Sequence, residues 1–193
     1  MGASKTLSLN EWAVLGLVAE GETHGFAVSR EFAASGSIGR IWTIPRPLVY
    51  RAIAMLVTRG LVVETGTAPG AAAPTKRLVR VTAVGRTAID EWLDKPVTHV
   101  RDARSALLVK LLLLDRAGID ATPLLRAQAA RLEPMLESLR SQLERNDGFD
   151  STIVRWRIYS TEALAIFLDD LLSTTSSQAG SFSRSARRGS PCS

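Results

Sequence analysis

The chain has 193 residues, 46% of them hydrophobic, a formal net charge of +5 and a sequence pI of about 10.0. That length and apolar content can bury a core in one or two domains and exclude wholesale disorder, while the basic balance permits a polyanionic partner. The one cysteine, Cys192, excludes a disulfide framework and a cysteine-ligated metal cluster.

Ser8 and Glu11 stand at capping-box spacing and open a helix to about Glu20, with Trp12, Leu15 and Val18 on its inward face. A second helix starts near Thr23 and carries Phe26, Ala27, Arg30 and Phe32, until Gly36 and Gly39 break the pattern. Ile41, Trp42 and Ile44 have the residue types of a short extended segment. A third helix begins at Pro45 or Pro47, where a missing N–H does no harm. Val49, Ala52, Ile53 and Leu56 form its buried stripe, and Pro47, Arg51, Ala54 and Thr58 lie opposite. Gly60 stops it. Two β-rich runs, Leu61 to Thr65 and Arg77 to Thr82, then flank a Pro/Gly/Ala loop, and Thr82 to Leu93 reads as a fourth helix.

Pro96 marks a boundary, beyond which every predicted element is a helix. Ala103 to Ala117 is strongly apolar and is stopped by Gly118. Thr122 is placed as the cap of the next helix, with Pro123 at its first position and an end near Arg145. The last helix is predicted over Thr152 to Leu172, and the Ser-rich remainder is predicted to be disordered. The expected organisation is therefore a domain over 1–95, a helical domain over 96–173, and a disordered Ser/Arg-rich tail over 174–193. Charge follows the same division. Residues 1–95 carry 11 Lys/Arg against 8 Asp/Glu, residues 96–173 carry 10 against 11, and the tail carries 3 against none.

A short helix with a basic front, followed by a basic hairpin, is the outline of a winged helix-turn-helix, which sets a helix in a DNA groove and a hairpin on the adjacent backbone. Arg46 and Arg51 can bond base edges or phosphates, and Tyr50 can reach a phosphate through its hydroxyl. Lys76 and Arg77 can hold phosphates from the wing, although charges at those positions also guard an edge strand. The wing tip, Thr67 to Pro74, is almost uncharged. Arg184, Arg187 and Arg188 of the tail add a nonspecific attraction to DNA or remain a solvated end. Neither His24 nor His99 has partners at metal-ligand spacing, and no nucleophile–base arrangement stands out. No metal, cofactor or enzymatic activity is expected. The single cysteine points to a reducing cytoplasm, and no run approaches the roughly 20 apolar residues of a membrane span, so a cytoplasmic location with no membrane partner is expected.

In this arrangement the chain resembles the PadR-like transcriptional regulators over nearly all of residues 7–172. The resemblance rests on Leu7, Ser8, Glu11 and Val14-Leu15-Gly16-Leu17-Val18, then on His24-Gly25-Phe26-Ala27-Val28. It continues through Val49-Tyr50-Arg51-Ala52-Ile53, Leu56 and Gly60-Leu61-Val62, and closes on Arg77, Val79, Val81-Thr82 and Gly85. Phe26 stands where the family usually has Tyr, and Pro47 where it has Gly or a small polar residue. The resemblance implies a mainly α fold with a small β-hairpin: a winged helix-turn-helix domain followed by an all-α dimerisation domain. It implies a ligand-responsive repressor of bacterial type, a homodimer paired through its C-terminal helices on an inverted repeat in double-stranded DNA. A small aromatic effector near Trp92, Trp156 and Tyr159 is part of the same implication, although these aromatics also suit core packing. A dimeric protein-binding adaptor that keeps the fold without operator binding is the alternative.

Overall fold

The structure is a computed structural model that describes residues 7–68 and 76–186. The wing-tip residues from 69 onward, together with Arg187, Arg188 and Cys192, lie outside the described residues. The chain divides into two compact units, one of Met1–Lys95 with Asp102–Ile119 and one of Pro96–Arg101 with Asp120–Ser193.

In the first unit, α1 spans Leu9–Ala19 and opens on the expected capping box: the Ser8 hydroxyl accepts from the Glu11 N–H, and the Glu11 carboxylate accepts from the Ser8 N–H. His24 ends a two-residue strand β1, Thr23–His24, and also caps α2, Gly25–Glu31. The chain between α2 and α3 is tied to α2 by the Gly39 N–H, which donates to the Glu31 carbonyl, and it buries Ile38 completely. Helix α3 runs Arg46–Thr58 and turns Val49, Ala52, Ile53 and Leu56 inward, the stripe its spacing predicts. Gly60, at φ 68°, provides the left-handed turn that releases the chain into the sheet. Strand β2, Val62–Ala68, pairs antiparallel with β3, Lys76–Val81, and Thr82 caps α4, Ala83–Asp94.

The hairpin has a third strand that the sequence reading lacks: β1 pairs with β3, giving the order β1-β3-β2. Ile41, Trp42 and Ile44, read as an extended segment, enter no strand. The core joins Val14, Leu15 and Val18 of α1 to Phe32, Val49, Leu56, Val62 and Ile89, all buried. Each such side chain contributes about 1.5–3 kcal/mol through its removal from water.

The chain leaves the first unit after Lys95 and returns to it over Asp102–Ile119. Helix α5, Leu108–Ala117, follows a 3-10 turn and a π-type turn, and it belongs to the first unit although it lies beyond Pro96. Its attachments explain why. Leu113 packs so closely on α1 that a Cβ at Gly16 would lie 2.4 Å from its Cδ1. Arg116 forms a paired ion bridge to Glu20 at 2.6 Å and reaches Glu31 and the Ser37 hydroxyl.

The second unit is an antiparallel pair, α6 (Thr122–Leu143) and α7 (Gly148–Ala186). Leu139, Val154 and Ile158 are buried between them, with Met135, Leu136 and Leu143 packed alongside. These two helices therefore cover one face of each other within a single chain. Gln128 is buried and exchanges hydrogen bonds with the backbone of Val97, which holds the Pro96–Arg101 segment to α6. Thr122 is not the cap of α6: it is the first helical residue, Ala121 precedes it, and the Asp120 carboxylate accepts from the Thr122 N–H at 2.9 Å. The Thr122 hydroxyl, then that backbone hydrogen bond, and nearby Arg126 hold the Asp120 carboxyl below its ordinary range. Helix α7 continues through Ala186, well into the segment read as a disordered tail. Low apolar content measures what a segment can bury, not whether it can be helical, and no proline stops the chain before Pro191.

Candidate nucleic-acid interface

Helix α3 is built with its polar side outward. Arg46, Pro47, Tyr50, Arg51 and Ala54 are exposed, and the buried stripe on the opposite side fixes how the helix is rolled. Its N-terminus departs from the usual rules. Pro45 supplies no side-chain cap, the first turn has no acidic residue, and Arg46 is the first helical residue. A cation there opposes the positive end of the helix dipole, at a local cost of about 0.3–1 kcal/mol, and an anion bound at that point would reverse the sign.

The start of α2 packs beside this front. The His24 Nδ1 accepts from the Ala27 N–H at 3.1 Å, which caps α2. The His24 and Phe26 rings stack with centroids 6.4 Å apart. The Arg46 guanidinium lies 4.8 Å from the centre of the Phe26 ring and 5.8 Å from that of Tyr50. Tyr50 in turn lies against Gly25, where a Cβ would come within 2.6 Å of the ring. Glycine is required at position 25 for that approach.

Across from α3 stands the wing. A cleft of about 670 Å³ separates them, lined by Phe26, Arg46 and Tyr50 on one side and by Glu64, Lys76 and Arg77 on the other. Thus four of the five predicted nucleic-acid residues, Arg46, Tyr50, Lys76 and Arg77, share one cleft, and Arg51 is exposed one residue beyond Tyr50. Arg77 is not free-standing: it pairs with Glu64 at 3.3 Å, with both side chains well exposed. The Thr65 hydroxyl donates to Glu22 and ties the wing to the turn before β1.

The three predicted effector residues fall in different settings. Trp92 belongs to the first unit, where it stacks on Trp12 at 5.3 Å with ring planes 9° apart and carries Lys110 over its ring at 4.4 Å. Trp156 and Tyr159 project from α7 in the second unit, 72% and 62% exposed. Two elements near these sites are absent from the sequence reading: Phe26 as a partner of Arg46, and Lys110 as a buried cation. The aromatic–basic spacing of Phe26, Arg46 and Tyr50 offers only a faint signal for the first. For the second, the signal is a lysine inside the apolar run from Ala106 to Leu114.

No helix among the described residues is long and apolar enough to cross a membrane. No protein-family model matches the chain, and no curated protein matches it. Among solved structures the chain is similar to Bacillus subtilis PadR in complex with operator DNA, with 17% identity and a TM-score of 0.45, covering 86% of this chain and 99% of that one. It is similar to a PadR-like transcriptional regulator from Bacillus cereus, with 19% identity and a TM-score of 0.40, covering 90% and 99%. It is also similar to the Vibrio cholerae virulence activator AphA, with 18% identity and a TM-score of 0.35, covering 89% and 99%.

Proposed function

We propose that this chain is a sequence-specific DNA-binding transcriptional regulator, a PadR-like repressor that acts as a homodimer on an inverted-repeat operator and responds to a small ligand. The observation that carries the reading is the outward front of α3, where Arg46, Tyr50 and Arg51 stand beside a cleft closed on its far side by the wing. A helix so exposed can enter a major groove, and a wing beside it can reach the adjacent backbone. The uncapped, cationic start of α3 supports an anionic partner on the same side.

Pairing of two chains follows from the reach of one head. A single α3 reads only a few base pairs, and two heads on a two-fold axis read a palindrome. The pairing is assigned to the C-terminal helices, because α7 leaves Phe149, Ile153, Trp156 and Tyr159 exposed on the helix that already packs on α6. A small aromatic effector would shift the operator affinity by preferring one spacing of the heads. A mobility shift with DNA from upstream of the chain's own gene tests the reading. The wild-type chain gives a discrete, competitor-resistant shift, and alanine at both Arg46 and Arg51 abolishes it while the dimer survives on size-exclusion chromatography. An unchanged shift in that variant means that α3 is not the reading helix.

A further inference from the structure

Arg46 is exposed, but it already has partners. Its guanidinium is set against two rings, Phe26 at 4.8 Å and Tyr50 at 5.8 Å, and each ring is itself held. Phe26 stacks on His24, whose other duty is to cap α2 through Nδ1. Tyr50 is seated on Gly25, with no room for a Cβ beneath it. Three consecutive residues, His24-Gly25-Phe26, thus support the first arginine of a neighbouring helix. Phe26 is 43% exposed, so its ring is not there to fill the core.

We propose that Phe26 is a positioning residue for DNA reading: its ring fixes the Arg46 guanidinium before DNA arrives. A guanidinium packed on an aromatic face keeps its in-plane N–H donors free. Those donors form the fork that matches the O6/N7 edge of guanine, or two oxygens of a phosphate. An arginine already confined loses less rotamer freedom on binding than a free one, so the same hydrogen bonds yield more affinity. Lysine at position 46 would keep the charge and lose both the stack and the fork.

The inference rests on the DNA-binding reading, and the test separates the two. The full-length chain is first used to select duplexes from a random 30-base-pair pool. A wild-type chain that enriches no sequence overturns the regulator reading itself, before any variant is made. With a selected duplex in hand, Phe26→Leu weakens binding about twofold to fivefold, Phe26→Tyr retains it, and binding to unselected duplex is unchanged. In the Arg46→Ala background, Phe26→Leu adds nothing. Proton NMR of the DNA-free chain supplies the independent readout. The Arg46 side-chain protons are shifted by ring current in the wild type and in Phe26→Tyr, and return toward free-arginine positions in Phe26→Leu. The proposal is overturned if the ring-current shift is missing in the wild type. It is equally overturned if Phe26→Leu binds the selected duplex as the wild type does, or weakens the Arg46→Ala variant as much as it weakens the wild type.

Discussion

Lys110 lies with its ammonium 4.4 Å from the centre of the Trp92 ring and donates to the backbone carbonyls of Trp92 and Lys95. Those carbonyls are at the C-terminal end of α4, where a helix runs out of N–H partners and carries the negative end of its dipole. One side chain of α5 thus serves as the C-terminal cap of another helix. It is only 2% exposed, and its ring partner Trp92 is itself stacked on Trp12 of α1. Three helices of the first unit meet on this lysine.

Burial is the leading influence on Lys110 and lowers its pKa from 10.5 to about 8; Asp94 opposes the shift and Lys95 reinforces it. A cation whose folded pKa is depressed weakens the fold while it is charged, and the penalty is relieved as pH rises from the folded to the unfolded value. The wild type should therefore gain stability relative to Lys110→Met between about pH 8 and pH 10.5, by up to roughly 3 kcal/mol. Urea unfolding followed by tryptophan fluorescence at several pH values measures this. A pH-independent difference between the two proteins would show that Lys110 does not titrate in that window. Lys110→Ala, which also opens a cavity, is expected to lose about 2–4 kcal/mol near pH 7.

Two glycines test how closely the helices of the first unit approach. A Cβ at Gly85 would lie 2.0 Å from the Leu61 carbonyl oxygen, a backbone atom that cannot move alone. At Gly16 the obstacle is the Leu113 side chain, which can change rotamer. Gly85→Ala should therefore destabilise by about 2–3 kcal/mol. Gly16→Ala should cost less, because alanine favours a helix over glycine by about 1 kcal/mol and offsets part of the clash. Thermal unfolding of the two variants side by side gives the order, and the reverse order would mean that α5 packs more rigidly on α1 than Leu113 allows.

Much of this architecture is legible in the sequence because local signals carry it. The Ser8/Glu11 box, the Val49-Ala52-Ile53-Leu56 stripe and the Gly60 stop all act within a few residues. What is not legible depends on distant partners. Strand β1 is two residues long and shows no periodicity; it exists because β3 offers an edge. Lys110 reads as an interruption in an apolar run, and only the carbonyls of α4 reveal why a lysine belongs there. Helix α5 returns to α1 through Leu113 and Arg116, contacts that no spacing rule announces. At the candidate interface, the position of Arg46 on α3 follows from the helix pattern, but its support by Phe26 depends on how α2 meets α3.

The Arg116 bridge predicts an acid-side effect. The Ser37 hydroxyl, followed by Arg116, holds the Glu31 carboxyl below its ordinary value of 4.5 against the opposing effect of burial. A depressed carboxylate contributes stability that is complete above its unfolded value and is lost as pH falls through the lower folded value. Because both partners are about one-third exposed, solvent screens the pair and the contribution is about 0.5–1 kcal/mol. Glu31→Gln should be less stable than the wild type by that amount at pH 7 and indistinguishable from it once Glu31 is protonated. Denaturant titrations at pH 7 and pH 3 check both halves. A deficit that persists at low pH would assign the loss to packing instead.

The Glu64–Arg77 pair offers a test in which a single substitution should improve DNA binding. Both side chains are well exposed and 3.3 Å apart, so the pair stabilises the hairpin by no more than about 1 kcal/mol. Glu64 also lies in the cleft through which a DNA backbone would pass if Arg77 holds a phosphate. Glu64→Gln then removes a competing anion and frees Arg77. Affinity for duplex DNA should rise about twofold to fivefold at low salt. The gain should shrink as salt screens the exposed charges. Arg77→Ala should lower the affinity and reduce the salt slope by about one counterion. Mobility shifts at two salt concentrations resolve these cases. If neither substitution changes binding, the charges at the base of the wing only guard an edge strand, and the contact with DNA rests on α3 alone.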